Sequence, residues 1–136
     1  MSLSVKRVLL HVLLPLVAGF CIYFFFRPDV VFVQWFVKRE PLIPLHGLTN
    51  LQKVFIYSAP DFCWCYSLAA ALFTWERWQG RTIRFFPLIV LVLVAGSEFI
   101  QFLQPHLFTP DWMDVLAAVL AYLLSYWLIR KRNYEI

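Results

Sequence analysis

Four apolar runs, each close to the length of a bilayer-crossing helix, restrict what this chain can fold into more than any other feature. They cover about Val8 to Phe26, Val54 to Trp75, Phe85 to Gln104 and Trp112 to Ile129. With about 1.5 Å of rise per residue, roughly 20 residues cross about 30 Å of hydrocarbon. Runs of this length leave few residues for a soluble core, and 62% of the 136 residues are hydrophobic. Charged residues make up only 15% and cluster between the runs instead of spreading over helix faces. The pattern predicts an all-α integral membrane protein, a four-helix bundle forming one transmembrane domain over residues 1–136.

The segments between the runs refine this picture. The stretch VVFVQWFV from Val30 is too short to span, and two readings stand level: a short interfacial or re-entrant helix in the first outer loop, or an extension of the first helix. KREPLIPLHGLTNLQK carries two prolines and a glycine and reads as a loop. The N-terminus has the basic start and apolar run of a signal peptide. Its run is long enough to cross a bilayer and no small-residue cleavage site follows, so a retained first helix is expected.

Orientation follows from the basic residues. Lys6, Arg7, Arg77, Arg81, Arg84, Arg130, Lys131 and Arg132 fall on one side of a four-span chain, and Arg27, Lys38, Arg39 and Lys53 on the other. The positive-inside rule therefore places both termini in the cytoplasm and the loop PHLFTP outside. The net charge of +4 comes from residues at the ends of apolar runs, where orientation signals and headgroup partners sit, so no nucleic-acid partner is expected. Cys21, Cys63 and Cys65 are odd in number and lie inside apolar segments, which argues for small buried hydrophobes and against disulfides or a metal site.

The acids are the exception to this apolar plan. Asp61, Glu98, Asp111 and Asp114 lie in or against the runs, and an ionised carboxylate at the centre of a membrane helix costs about 2.5–3.5 kcal/mol on insertion scales. The topology brings all four to one leaflet, with Asp61 about 10 Å and Glu98 about 9 Å inside the outer ends of their helices. Glu98 and Gln101, three apart, share a helix face, as do Asp111 and Asp114. Ala118, Ala121 and Ser125 continue the face of Asp114 with small side chains, the composition of a close helix-packing seam. Asp61, Glu98, Gln101, Asp111 and Asp114 are thus the candidate residues of an outer-leaflet acidic pocket.

Each also has a structural role to weigh. Thr109, Pro110 and Asp111 make a good helix start, with a capping Thr, Pro at the first position and an acid at the positive end of the dipole. Gln101 suits an interhelical hydrogen bond, and Asp61 follows Pro60, which opens or kinks its helix. His106 in the outer loop reads as solvated, and His11 and His46 have no acidic neighbours in sequence. No phosphate loop, HExxH or GxSxG is present, and no catalytic residue is assigned.

Glu98-Phe-Ile-Gln101 near the end of one helix, followed by Asp111-Trp-Met-Asp114 opening the next, resembles the signature of the VanZ-like family of small polytopic bacterial membrane proteins. The size and four-span layout are similar, and YFFFRPD and YSAPDFCW resemble the first half of some members. The chain departs from the pattern where members commonly carry an Asn and glycines after the second Asp; it has Ala118, Ala121 and Ser125. No Arg precedes the Asp pair in the loop. The resemblance implies the cytoplasmic membrane of a bacterium and a cell-envelope role, the founding member being associated with low-level teicoplanin resistance, without an established reaction.

Three functions are compatible with these residues. The first is binding of a lipid, a lipid-linked envelope precursor or a cationic group in the acidic pocket. The second is acid–base chemistry on a lipid headgroup; no cofactor is expected, although close carboxylates have the chemistry to hold Mg²⁺ or Ca²⁺. The third is a structural partner subunit or self-associating effector in which the acids cement helices or pair with Arg27. No run carries a polar stripe along its whole length, which counts against a conducting channel.

Overall fold

A computed structural model describes residues 3–27, 34–35, 43, 46–79, 88–103 and 112–130, with the side chains of residues 3, 4, 98, 101 and 130 outside the description. The described residues form four helical rods, with no strand among them. The first rod runs through α1 (Leu3–Val8), a wider π-helical turn (Leu9–Leu13) and α2 (Leu14–Phe26). The others are α3 (Asn50–Trp78), α4 (Ile89–Leu103) and α5 (Trp112–Ser125), the last continuing into a π-helical turn (Tyr126–Arg130). Val5–Phe26 and Trp112–Ile129 are long and apolar enough to cross a membrane. Of the stretch from Val30 to Val37, only Gln34 and Trp35 are described.

α3 starts earlier than the apolar run implies. Thr49 closes a capping box: its hydroxyl accepts from the Gln52 backbone N–H, while the Gln52 side chain accepts from the Thr49 backbone N–H at 2.9 Å. Two of the orphan donors at a helix start are thereby satisfied, which draws Asn50 to Lys53 out of the expected loop and into the helix. Asp61 then lies about 16 Å along α3 from its first residue. The helix also continues through Pro60, which is fully buried.

α3 is the central element, packed most extensively on α5 and α2, while α4 rests mainly on α5. Contacts of Tyr23 with Asp61 and of His11 with Tyr66 set the first rod antiparallel to α3. Asp114, at the start of the last rod, acts electrostatically on Cys65, and eight residues further along α3 Phe73 meets Tyr122 and Tyr126, so α3 and the last rod run parallel. This is the pairing expected of the second and fourth rods in an up-and-down arrangement.

At the α3–α5 seam, side-chain size is distributed inside out. The seam between α3 and α5 is made of Ala69, Ala70, Ala118, Ala121 and Ser125, all with 0% exposure. Large apolar side chains such as Leu14, Leu51, Phe55, Val92, Phe102 and Trp127 point outward. Small residues inside let backbones approach closely, while the large apolar side chains coat the outside. The first rod uses the same device at Gly19, where an added Cβ would stand 3.0 Å from the Cys63 Cβ and 3.4 Å from the Pro60 carbonyl oxygen.

Candidate functional site

Where the last turns of α2 meet the first half of α3, polar side chains gather among apolar ones. Tyr23, on the last turns of α2 and 8% exposed, donates its phenol hydrogen to Oδ1 of Asp61 at 3.2 Å. Asp114 enters from the start of α5: the carboxylates of Asp61 and Asp114 both act electrostatically on the Tyr23 phenol and on the Cys65 thiol. Asp114 is half-buried and stands on the same helical stripe as Ala118, Ala121 and Ser125, which places it at the head of the α3–α5 seam.

Arg27 closes the cluster. It caps α2, its backbone N–H bonding the Tyr23 carbonyl at 2.9 Å, and its half-buried side chain turns over two aromatic rings. The guanidinium carbon lies 4.4 Å from the Tyr57 ring centroid and 5.6 Å from that of Tyr23. Both distances are within the roughly 6 Å at which a ring quadrupole attracts a cation. Ile43 is tied to the end of α2, its N–H donating to the Phe25 carbonyl at 3.2 Å.

Of the candidate acids, the structure brings Asp61 and Asp114 to this one cluster. Glu98 and Gln101 stand on α4, three residues apart, on the helix that packs against α5; their side chains lie outside the description. Asp111 and His106 fall outside the described residues. Tyr23 and Tyr57 were not among the sequence candidates, and Arg27 entered only as a partner for the acids. A tyrosine at the end of an apolar run reads as interface belt, and nothing local in the sequence marks it as the donor to a carboxylate 38 positions away.

His11, in the π-helical turn, shares a hydrogen bond of 2.6 Å between its Nδ1 and the Tyr66 hydroxyl, a polar tie between the first rod and α3. An open, chiefly apolar groove of about 440 Å³ lies between Ile22 and Phe26 of α2 and Leu51, Phe55 and Ile56 of α3. Cys21, Cys63 and Cys65 are free thiols. Among the described residues no three His, Cys, Asp or Glu side chains gather as metal ligands.

The fold and site define a class: a helical bundle with an apolar coat and a polar cluster of one arginine, two tyrosines and two aspartates. Compared with protein-family models, with curated proteins and with solved structures, the chain finds no match in any of the three.

Proposed function

We propose that the chain is a multi-pass protein of a bacterial cytoplasmic membrane, VanZ-like in kind, with both termini in the cytoplasm. In this reading its outer-leaflet cluster binds the cationic part of a lipid or lipid-linked envelope precursor. The observation that carries the reading is the Tyr23–Asp61 hydrogen bond with Asp114 in electrostatic range of the same phenol and of Cys65, in a bundle whose outside is hydrocarbon-like. Carboxylates in such surroundings face protein or water and mark a function more often than not. The family resemblance of the stretch from Glu98 to Asp114 supports the envelope context.

Lipid retention tests this reading. The full chain, extracted in mild detergent from membranes containing phosphatidylethanolamine, is examined by native mass spectrometry beside Asp61→Asn and Asp114→Asn. Both variants are expected to retain about tenfold less of the amine-bearing lipid, the scale of one lost hydrogen bond to a charged group. Equal retention by folded variants overturns it.

The Tyr23–Asp61 hydrogen bond favours a second reading, in which the cluster cements α2 to α3 within a partner subunit or self-associating effector. Large losses of thermal stability in Asp61→Asn and Asp114→Asn alike, without any ligand effect, select that reading.

A further inference from the structure

We infer that the cluster is a receptor for a protonated amine or guanidinium group, and that Arg27 is its built-in competitor. The inference rests on the binding reading above and names the chemistry of the ligand. Its starting point is a cation already in place: the Arg27 guanidinium over Tyr57 and Tyr23. The hydroxyl of that same Tyr23 is hydrogen-bonded to Asp61, and Asp114 adds a second negative charge within electrostatic range of it. Aromatic faces backed by carboxylates are the surroundings a positive nitrogen group prefers. The chain's own side chain thus displays the chemistry that the cluster accepts.

Access and charge point the same way. Tyr57 is 41% exposed, so its ring can be reached from outside the bundle, and Arg27 is only half-buried at the helix end. An incoming ammonium that takes the Tyr57 face turns the Arg27 side chain outward and comes to lie near the carboxylates, to which it can donate hydrogen bonds. An anion would meet one positive group and two negative ones. The ammonium has two sources, the headgroup of an aminophospholipid or a water-borne amine, and both present the same chemistry.

The test uses the full chain in phosphatidylcholine nanodiscs, titrated with n-butylguanidinium and followed by ligand-observed NMR. Arg27→Gln is expected to bind the probe about tenfold more tightly than the unaltered chain, the scale of one partly shielded cation–π contact. Adding Asp61→Asn or Tyr57→Leu to Arg27→Gln is expected to cancel the gain. Affinity unchanged or weakened in Arg27→Gln overturns the inference, as does a gain that survives both second substitutions. Circular dichroism and gel filtration identify variants that fail to fold; in that event, Arg27→Lys is the substitute, with a smaller gain expected and no gain overturning the inference. Nanodiscs containing phosphatidylethanolamine separate the sources: competition with the probe supports the lipid headgroup, and undiminished probe binding supports a water-borne amine. Failure here with Asp61-dependent lipid retention intact removes the Arg27 competitor and leaves the binding reading standing; loss of Asp61 dependence in both assays removes both.

Discussion

Tyr23 donates a hydrogen bond to Asp61 across 3.2 Å, joining the end of the first apolar rod to the carboxylate that follows Pro60 in the second. Removing the donor leaves a half-buried carboxylate short of one partner, whereas Asp61→Asn keeps an acceptor for the phenol. Tyr23→Phe should therefore destabilise the protein by about 1–2 kcal/mol, the range for a hydrogen bond to a charged group. Thermal unfolding in detergent measures it, and Asp61→Asn should cost less than Tyr23→Phe. The reverse order would remove the hydrogen bond as the main tie.

Gly19 should tolerate no side chain without adjustment. The Cβ of Gly19→Ala would stand 3.0 Å from the Cys63 Cβ, both rigidly attached to helix backbone. Overpacking of this kind costs about 1–3 kcal/mol, and Gly19→Leu should exceed Gly19→Ala. Cys63→Gly removes the opposing atom, so the double variant with Gly19→Ala should be more stable than the sum of the single effects. A double-mutant cycle reads this coupling directly.

The inside-out distribution of side chains makes Ala121 and Leu120 neighbours with opposite sensitivities. Ala121 has 0% exposure against α3, and Leu120 has 52%. Ala121→Leu should cost about 1–3 kcal/mol by separating α5 from α3, and Leu120→Ala about 0.5 kcal/mol or less. In a water-soluble protein the larger effect usually belongs to the leucine. Equal effects on thermal midpoint would contradict the seam.

Tyr66→Phe isolates the other polar tie. It removes the 2.6 Å hydrogen bond with His11 Nδ1 while keeping the ring stacked on Phe62. Interhelical hydrogen bonds in membrane bundles average about 0.6 kcal/mol and reach about 1.7 kcal/mol. A loss in this range is expected, and His11→Phe in the Tyr66→Phe background should add little more.

At the start of α3, Thr49→Ala breaks the capping box with Gln52 and should cost about 1 kcal/mol. The effect should be local. Hydrogen exchange at Gln52 and Lys53 should quicken while the amides around Ala69 and Ala70 stay protected.

Much of the helical layout could be read from the sequence because long apolar runs separated by charged segments are hard to miss, and each of the four runs carries a helix among the described residues. The stripe Ala118, Ala121, Ser125 was legible for a similar reason: helix periodicity places those positions on one face, and all three are buried. The start of α3 was not read correctly. Thr49 and Gln52 carry a known cap spacing, but two prolines and a glycine just before them drew the whole segment into the loop. The contacts that build the cluster were illegible for a different reason. Tyr23 with Asp61, Arg27 with Tyr57 and His11 with Tyr66 join distant positions on different rods, and a single sequence holds no record of which faces meet.

Asp114 belongs to the last rod, whereas Tyr23, Arg27 and Asp61 belong to the first two, and this fixes an order of assembly. A ribosome making the chain delivers the arginine, the tyrosines and one aspartate long before the other aspartate exists. Until α5 arrives beside α3, the nascent protein carries a half-built cluster with Asp61 but without Asp114. Completion of the site is thereby coupled to closure of the Ala69–Ala118 seam, so a chain that stalls or is cut before Trp112 lacks the second charge and the packing surface together.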